Sequence, residues 1–302
     1  MYKRQGDSDG VFQLESTGMK RFMTELKPTN LEDIIAGISL YRPGPMESIP
    51  RYVANKNNHG SVTYKHPMLE PILNVTYGCI VYQEQVMQIV RELGGYSLGR
   101  ADLVRRAMSK KKADVMAEEK HNFVYGIDDG ESKVDGAIKR GIDEETAVSI
   151  FDEMMDFASY AFNKSHAAAY AVVAYQTAWL KYYYPVEYMA ALMTSVIDNP
   201  SKVAEYIYAS RQMGIQILPP DINNGEADFS VDEGNIRYGL SAIKSVGRPV
   251  VRAMLEERRT FGPYKNLEDF ITRVSSKEGL NKRTIENLIK AGAVSYTHLR
   301  AH

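Results

Sequence analysis

The sequence predicts a mainly α protein that carries a small β-hairpin and further helices towards its C-terminal end. Apolar residues recur at helical spacing through most of the first two hundred positions, the pattern changes near Gly214, and a short alternating stretch then flanks a turn at Asp232-Glu-Gly-Asn235.

The elements follow in order. Val86, Ile89, Val90 and Leu93 fall at i, i+3, i+4 and i+7 ahead of Gly94-Gly95, so Glu84 to Leu93 is an amphipathic helix with a glycine stop. A second helix begins near Gly99, with the i,i+4 pairs Leu103/Ala107 and Val104/Met108 expected to face inward and Arg106/Lys110 on another face. Glu144 to Phe157 is a third, with Ala147, Ile150, Phe151, Met154 and Met155 as its core stripe and Asp152 and Asp156 on the wet side. The stretch Ala167 to Leu180 is apolar nearly all round and stops at Pro185, which predicts the central buried helix of its domain. Its fully apolar run, Ala167 to Tyr175, is too short for the ~20 residues of a membrane span. Phe229 to Leu240 is the hairpin, and helices resume over 248–258, 266–274 and 282–291. A boundary is expected at about residue 212, giving a first domain over 1–212 and a second over 213–294.

Composition narrows the function classes. The chain has 302 residues with 44% hydrophobic and 25% charged, as ordinary globular proteins do. With Lys+Arg 37 against Asp+Glu 38 the net charge is −1, so any phosphate or nucleic-acid binding must come from a local basic patch. The single cysteine, Cys79, offers no internal disulfide and no cysteine-rich metal site, and no export signal or membrane span is visible, so a cytoplasmic location is expected. No phosphate loop, dinucleotide fingerprint, zinc-protease helix or Cys-x-x-Cys is present.

Three signals carry chemistry. Gly99 to Lys112 holds six cations and one carboxylate, and Arg105 and Arg106 with Lys110 suit a triphosphate or a nucleic-acid backbone, a solvated basic face being the alternative. Phe162-Asn-Lys-Ser-His-Ala-Ala-Ala-Tyr170 opens the apolar helix; Asn163 or Ser165 can cap it, and its free N–H groups favour an anion that Lys164 and His166 could also touch, with plain capping as the alternative. Leu240-Ser-Ala-Ile-Lys-Ser-Val-Gly247 has the form of a helix-hairpin-helix turn that meets DNA phosphates without reading sequence, or it is a simple turn. Asp152, Glu153 and Asp156 are better taken as a wet face than as a metal site, Met154, Met155, Met189 and Met193 as core fillers, and Tyr182-Tyr183-Tyr184 as a packing corner rather than a base-stacking platform.

Together these stretches are more specific than any one of them. Gly10-Val-Phe-Gln-Leu-Glu-Ser16, Tyr41-Arg-Pro-Gly-Pro45, Thr76-Tyr-Gly-Cys-Ile-Val-Tyr-Gln-Glu-Gln-Val-Met87, Arg105-Arg-Ala-Met-Ser-Lys-Lys-Lys112, Phe162 to Tyr170 and Leu218-Pro-Pro-Asp-Ile-Asn223 stand in this order. Over about residues 2 to 293 the chain resembles the α subunit of bacterial replicative DNA polymerase III, of the DnaE type. The resemblance implies a helical fingers domain over 1–212, followed by the hairpin and the start of a helix-hairpin-helix region over 213–294.

It further implies that Arg105, Arg106, Lys110, Asn163, Lys164 and His166 bind the phosphates of an incoming deoxynucleoside triphosphate. Gln13, Arg42, Gln83 and Tyr170 are candidate contacts to template-primer or nucleotide, and Lys244, Val246 and Gly247 form the DNA-binding hairpin. In the family the palm supplies the aspartates for two Mg²⁺ ions, and other holoenzyme subunits bind through further regions. Those aspartates lie upstream of the Phe-Gln-Leu-Glu-Ser motif in the family, so no catalytic or metal-binding residue is expected here and the isolated chain should be inactive. Residues 295–302 have no visible counterpart and are taken as a sequencing or assembly scar. A stand-alone helical, non-specific DNA-binding adaptor is the alternative function.

Overall fold

The computed structural model describes residues 6–43, 45–58, 60, 62–109, 113–128, 133–158, 162–275 and 281–294. Lys110, His59 and the 295–302 tail lie outside the described residues. The fold is mainly α, and the chain divides into two compact units, Met1–Ser8 with Phe12–Gln176, and Asp9–Val11 with Thr177–His302.

In the first unit, α1 (Thr17–Leu26) is capped by Ser16, whose Oγ accepts from the Met19 N–H at 3.3 Å, and α2 (Leu31–Leu40) by Asn30, whose Oδ1 accepts from the Asp33 N–H at 2.9 Å. Helix α2 is buried from Asp33 to Leu40, and Gly37 is where α1 comes close: a Cβ there would lie 2.6 Å from Met23 Cε. Helix α3 (Ile49–Asn57) is tied to α2 by a buried ion pair, Lys56 Nζ to Asp33 Oδ2 at 3.3 Å. After the single turn α4 (Glu70–Leu73) come α5 (Gln83–Gly94), α6 (Leu98–Ser109), α7 (Ala113–Tyr125), the antiparallel pair β1 (Ile127–Asp128) and β2 (Lys133–Val134), and α8 (Glu144–Ala158). Their shared core holds Val86, Ile89, Val90 and Leu93 of α5 against Val104 and Met108 of α6, Phe123 of α7, and Ile150, Phe151 and Met154 of α8. The spacing read from the sequence is therefore the spacing that packs. Leu103 is the exception. It is 63% exposed, because the buried stripe of α6 runs through Ala101, Val104, Ala107 and Met108 and position 103 falls beside it.

Helix α9 (Lys164–Tyr183) departs from its expectation as the central buried helix. It buries only Ala167, Ala171, Ala174, Ala178 and Lys181, one narrow stripe alternating by four and three residues, while Val172, Val173, Tyr175, Trp179 and Leu180 are 40% to 52% exposed. Apolarity all round gives a helix no preferred face, and here the small alanine side of the helix is the packed one. The tyrosine corner differs as well. Tyr182, Tyr183 and Tyr184 are exposed; Tyr182 meets Tyr183 edge to face, and the Trp179 ring lies tilted at 4.7 Å from Tyr183 and 5.8 Å from Tyr184 between centroids.

The second unit continues with α10 (Pro185–Ser195), which Pro185 opens, and α11 (Pro200–Gln212). Gly214, at φ 79°, turns the chain into β3 (Ile217–Leu218). The expected hairpin is present as β4 (Ser230–Asp232) and β5 (Asn235–Arg237), joined through Glu233 (φ 49°) and Gly234 (φ 76°), the two left-handed positions of a two-residue turn whose twist matches the strands. β3 adds in parallel on the other side of β5. Helices α12 (Arg248–Phe261), α13 (Leu267–Val274) and α14 (Lys282–Lys290) enclose Val251, Met254, Phe270, Val274 and Leu288, with Asn266 and Asn281 capping the last two. Arg258 holds this unit internally: its Nη1 donates to the carbonyls of Ile222, Asn223 and Gly225 at 3.1, 3.0 and 2.6 Å.

Candidate functional site

The site is built where two helices of the first unit begin side by side. Residues Tyr82 and Phe162 form a parallel bridge, with the Gln83 N–H donating to the Phe162 carbonyl at 3.0 Å, so the starts of α5 and α9 are laced together. Gln85 fixes the α5 side of this lacing. Its buried Oε1 accepts from the N–H groups of Val81 (2.9 Å) and Tyr82 (3.0 Å), and its Nε2 donates to Ile72 O (3.2 Å) and Thr76 Oγ1 (2.7 Å). The first turns of α5 and α9, with the backbone N–H groups that open each helix, are thus brought side by side.

Arginine reaches that region from α6. Arg105 Nη1 donates to Gln83 Oε1 at 3.0 Å, while its Nε and Nη2 fork onto Asp102 Oδ1 at 3.0 and 2.8 Å. Arg106 pairs with the other oxygen of Asp102 at 2.7 Å and remains 63% exposed. The hydrogen bond from Arg105, against some desolvation and with the charges of both arginines, holds the Asp102 carboxyl below its ordinary value, so it is ionised at neutral pH.

At the start of α9, Asn163 Oδ1 accepts from the His166 N–H at 2.9 Å, the capping that the sequence suggests. The Lys164 N–H faces both oxygens of Glu84 at 3.2 Å, and its Nζ pairs with Glu32 at 3.0 Å. A row of rings runs alongside: the Arg42 guanidinium lies 3.9 Å over Phe162, His166 is 5.4 Å from Phe162 and 4.4 Å from Tyr170, and Tyr170 is 5.3 Å from Phe12. Gln13, in a left-handed conformation at φ 63°, shares with Arg42 the lining of a cavity of about 320 Å³.

Six of the expected residues, Arg105, Gln83, Asn163, Lys164, His166 and Arg42, are therefore joined through direct contacts and the laced helix starts, and Tyr170 extends the ring row. The carboxylates of Glu32 and Glu84 and the ring of Phe162 as a partner of Arg42 are additions that helical spacing could not supply. The hairpin residues sit in the second unit. There Val246 is buried and its N–H donates to Ile243 O at 3.1 Å, Ser245 is left-handed at φ 62°, Gly247 precedes α12, and Lys244 is exposed.

Among the described residues no group of three or more His, Cys, Asp or Glu side chains could hold a metal ion. The acidic face of α8 is held by cations instead: Asp152 pairs with Lys120 at 2.6 Å, and Glu153 with Arg51 and Lys65 at 2.8 Å each. The Mg²⁺ ions that the resemblance implies find no fitting set of ligands on these residues. Among the described residues no helix is long and apolar enough to cross a membrane.

The model of the bacterial DNA polymerase III alpha subunit finger domain matches residues 2–131, and a helix-hairpin-helix motif matches residues 214–301, reaching into the 295–302 tail. Over nearly its whole length the chain is similar to one part of bacterial DNA polymerase III alpha subunits. Among its relatives, DNA polymerase III subunit alpha of Thermus aquaticus is 50% identical over 295 residues, 96% of this chain and 23% of that protein. The subunit of Pasteurella multocida is 48% identical over 298 residues, and that of Bacillus subtilis 44% over 290, each over 96% of this chain and 25% of the relative. The chain thus spans about a quarter of the length of the curated relatives it matches. Similarity along nearly the whole chain to DNA polymerase III subunits does not favour the stand-alone adaptor.

Proposed function

We propose that the first unit binds the triphosphate of an incoming deoxynucleoside triphosphate during template-directed DNA synthesis, as part of a replicative, DNA-directed DNA polymerase. The observation that carries this reading is the convergence of Arg105, Gln83, Lys164 and Asn163 on two laced helix starts. Backbone donors, a forked guanidinium and an ammonium can there face one polyanion. Arg106 extends the basic side, the sequence adds Lys110 as a further candidate cation, and His166, Tyr170, Phe162 and Arg42 offer a row of flat groups on which a nucleobase or sugar can rest. Gln13 and Gln83 border the same region and are proposed to meet template-primer or nucleotide.

Residues 1–212 act in this reading as the fingers, and residues 213–294 contact duplex DNA through Lys244 and the hairpin backbone, without reading sequence. The chemistry of nucleotidyl transfer requires carboxylate-bound Mg²⁺, for which the described residues offer no fitting set. The 302-residue polypeptide alone is accordingly expected to bind nucleotide and not to extend a primer. Photolabelling with an azido-dATP tests the reading. Label on the peptide containing Phe162 to Tyr170, suppressed by excess dATP, supports it, and label confined to peptides remote from α5, α6 and the start of α9 overturns it.

A further inference from the structure

Each cationic element of the proposed phosphate site already holds a carboxylate. Asp102 uses both oxygens, one on Arg105 and one on Arg106, at 2.8 and 2.7 Å. Glu84 places both of its oxygens 3.2 Å from the Lys164 N–H, where the start of α9 presents its donors, and Glu32 takes the Lys164 ammonium at 3.0 Å. The two arms meet on adjacent residues, since Gln83 binds Arg105 and Glu84 faces Lys164. An incoming anion therefore finds its donors engaged by carboxylates that are tethered to the fold.

We infer that Asp102 and Glu84 are specificity-determining residues, occupying the site's arginine fork and helix start so that it admits a polyphosphate and rejects a monophosphate. This rests on the nucleotide-binding reading above and adds to it a reason for selectivity. A tethered carboxylate competes at high effective concentration with any ligand for the same donors. A single phosphate group replaces one such partner and still faces the negative charge of the other. A chain of two or three phosphate groups reaches both arms together and gains the donors of both, which a single phosphate group cannot do. Discrimination by charge then comes from a repulsive element as well as an attractive one.

The test uses the 302-residue chain and calorimetric titration with inorganic orthophosphate, pyrophosphate and tripolyphosphate in Mg²⁺-free buffer. Wild type should bind tripolyphosphate far better than orthophosphate. Asp102→Asn keeps the side-chain shape and removes the charge; it should tighten orthophosphate about three- to fivefold and tripolyphosphate less, so the preference narrows. Glu84→Gln, on the other arm, should narrow it in the same direction, and circular dichroism establishes that both variants fold. If both variants weaken all three anions alike, the carboxylates only position the cations and the inference is overturned. An unchanged preference ratio with intact tripolyphosphate binding also overturns it while leaving the nucleotide reading standing. If neither wild type nor variants bind any of the three, the nucleotide reading and the inference fall together.

Discussion

Arg105 on α6 reaches Gln83 in the first turn of α5, Nη1 to Oε1 at 3.0 Å, across 22 positions of sequence. The same Gln83 donates its backbone N–H to Phe162, the residue that leads into α9. One glutamine thus links the arginine of one helix to the starts of two others, and the geometry of the proposed phosphate site depends on it.

Replacing Gln83 with Ala removes the lateral hold on Arg105 but keeps the backbone bond to Phe162. Tripolyphosphate or dATP affinity should fall about three- to tenfold, in line with one hydrogen bond to a charged group. The urea midpoint should stay close to wild type, because the Gln83 side chain lies outside the buried core. Titration and denaturation on the same preparation separate the two effects.

Gln85 is the buried counterpart, with all of its side-chain polar atoms bonded. Gln85→Leu leaves the Val81 and Tyr82 N–H groups without their partner and removes the donor to the Thr76 hydroxyl, a loss of about 2–4 kcal/mol in unfolding free energy. Equilibrium urea unfolding measures it; a change below about 0.5 kcal/mol would show that the lacing of α5 to α9 does not depend on this amide.

The buried pair of Asp33 and Lys56 makes the first unit sensitive to acid. Burial raises the Asp33 pKa, but hydrogen bonds from the Thr29 backbone and hydroxyl, and then Lys56, outweigh it, so the folded value lies below the ordinary 3.8. A lowered folded pKa stabilises the fold above the unfolded value, and that contribution is lost as pH falls below about 3.8 through the folded pKa. Asp33→Asn at neutral pH strands Lys56 and should cost about 3–5 kcal/mol, whereas Asp33→Leu with Lys56→Met should recover much of the loss. Thermal melts of the three proteins between pH 3 and 7 check both the size and the pH window.

In the second unit Lys244 is exposed at the hairpin, while Arg258 and Arg273 are spent on internal carbonyls and carboxylates. Duplex binding by the full chain should therefore be weak, about 10⁻⁴ to 10⁻⁶ M, and indifferent to sequence. Lys244→Ala should reduce the slope of log affinity against log salt by about one. Fluorescence anisotropy with two unrelated duplexes provides the test, and tight binding that survives high salt or prefers one duplex would count against this hairpin role.

Much of the fold is legible in the sequence because it is local. The stripes of α5 and α8, the glycine stop at Gly95 and the Glu233-Gly234 turn are each set by residues within a few positions of one another. Helix α9 is misjudged because uniform apolarity does not say which side packs, and its alanine side does. Leu103 fails for a related reason, lying beside a stripe whose direction is fixed by what α6 packs against. At the site, the cations and the helix cap are visible as a basic run and a capping motif. Their carboxylate partners are not, since Glu84 meets Lys164 across 80 positions and only the folded chain joins them.

The most direct test of the central claim is titration of the 302-residue chain with dATP, comparing wild type with the Arg105→Ala/Arg106→Ala double variant. Wild type should bind, tripolyphosphate should compete and deoxyadenosine should not, and the double variant should lose at least about tenfold in affinity at unchanged stability, as phosphate-directed guanidinium contacts require. Equal affinity in wild type and the double variant, or competition by deoxyadenosine alone, would return α6 to a solvated basic face and contradict the phosphate site.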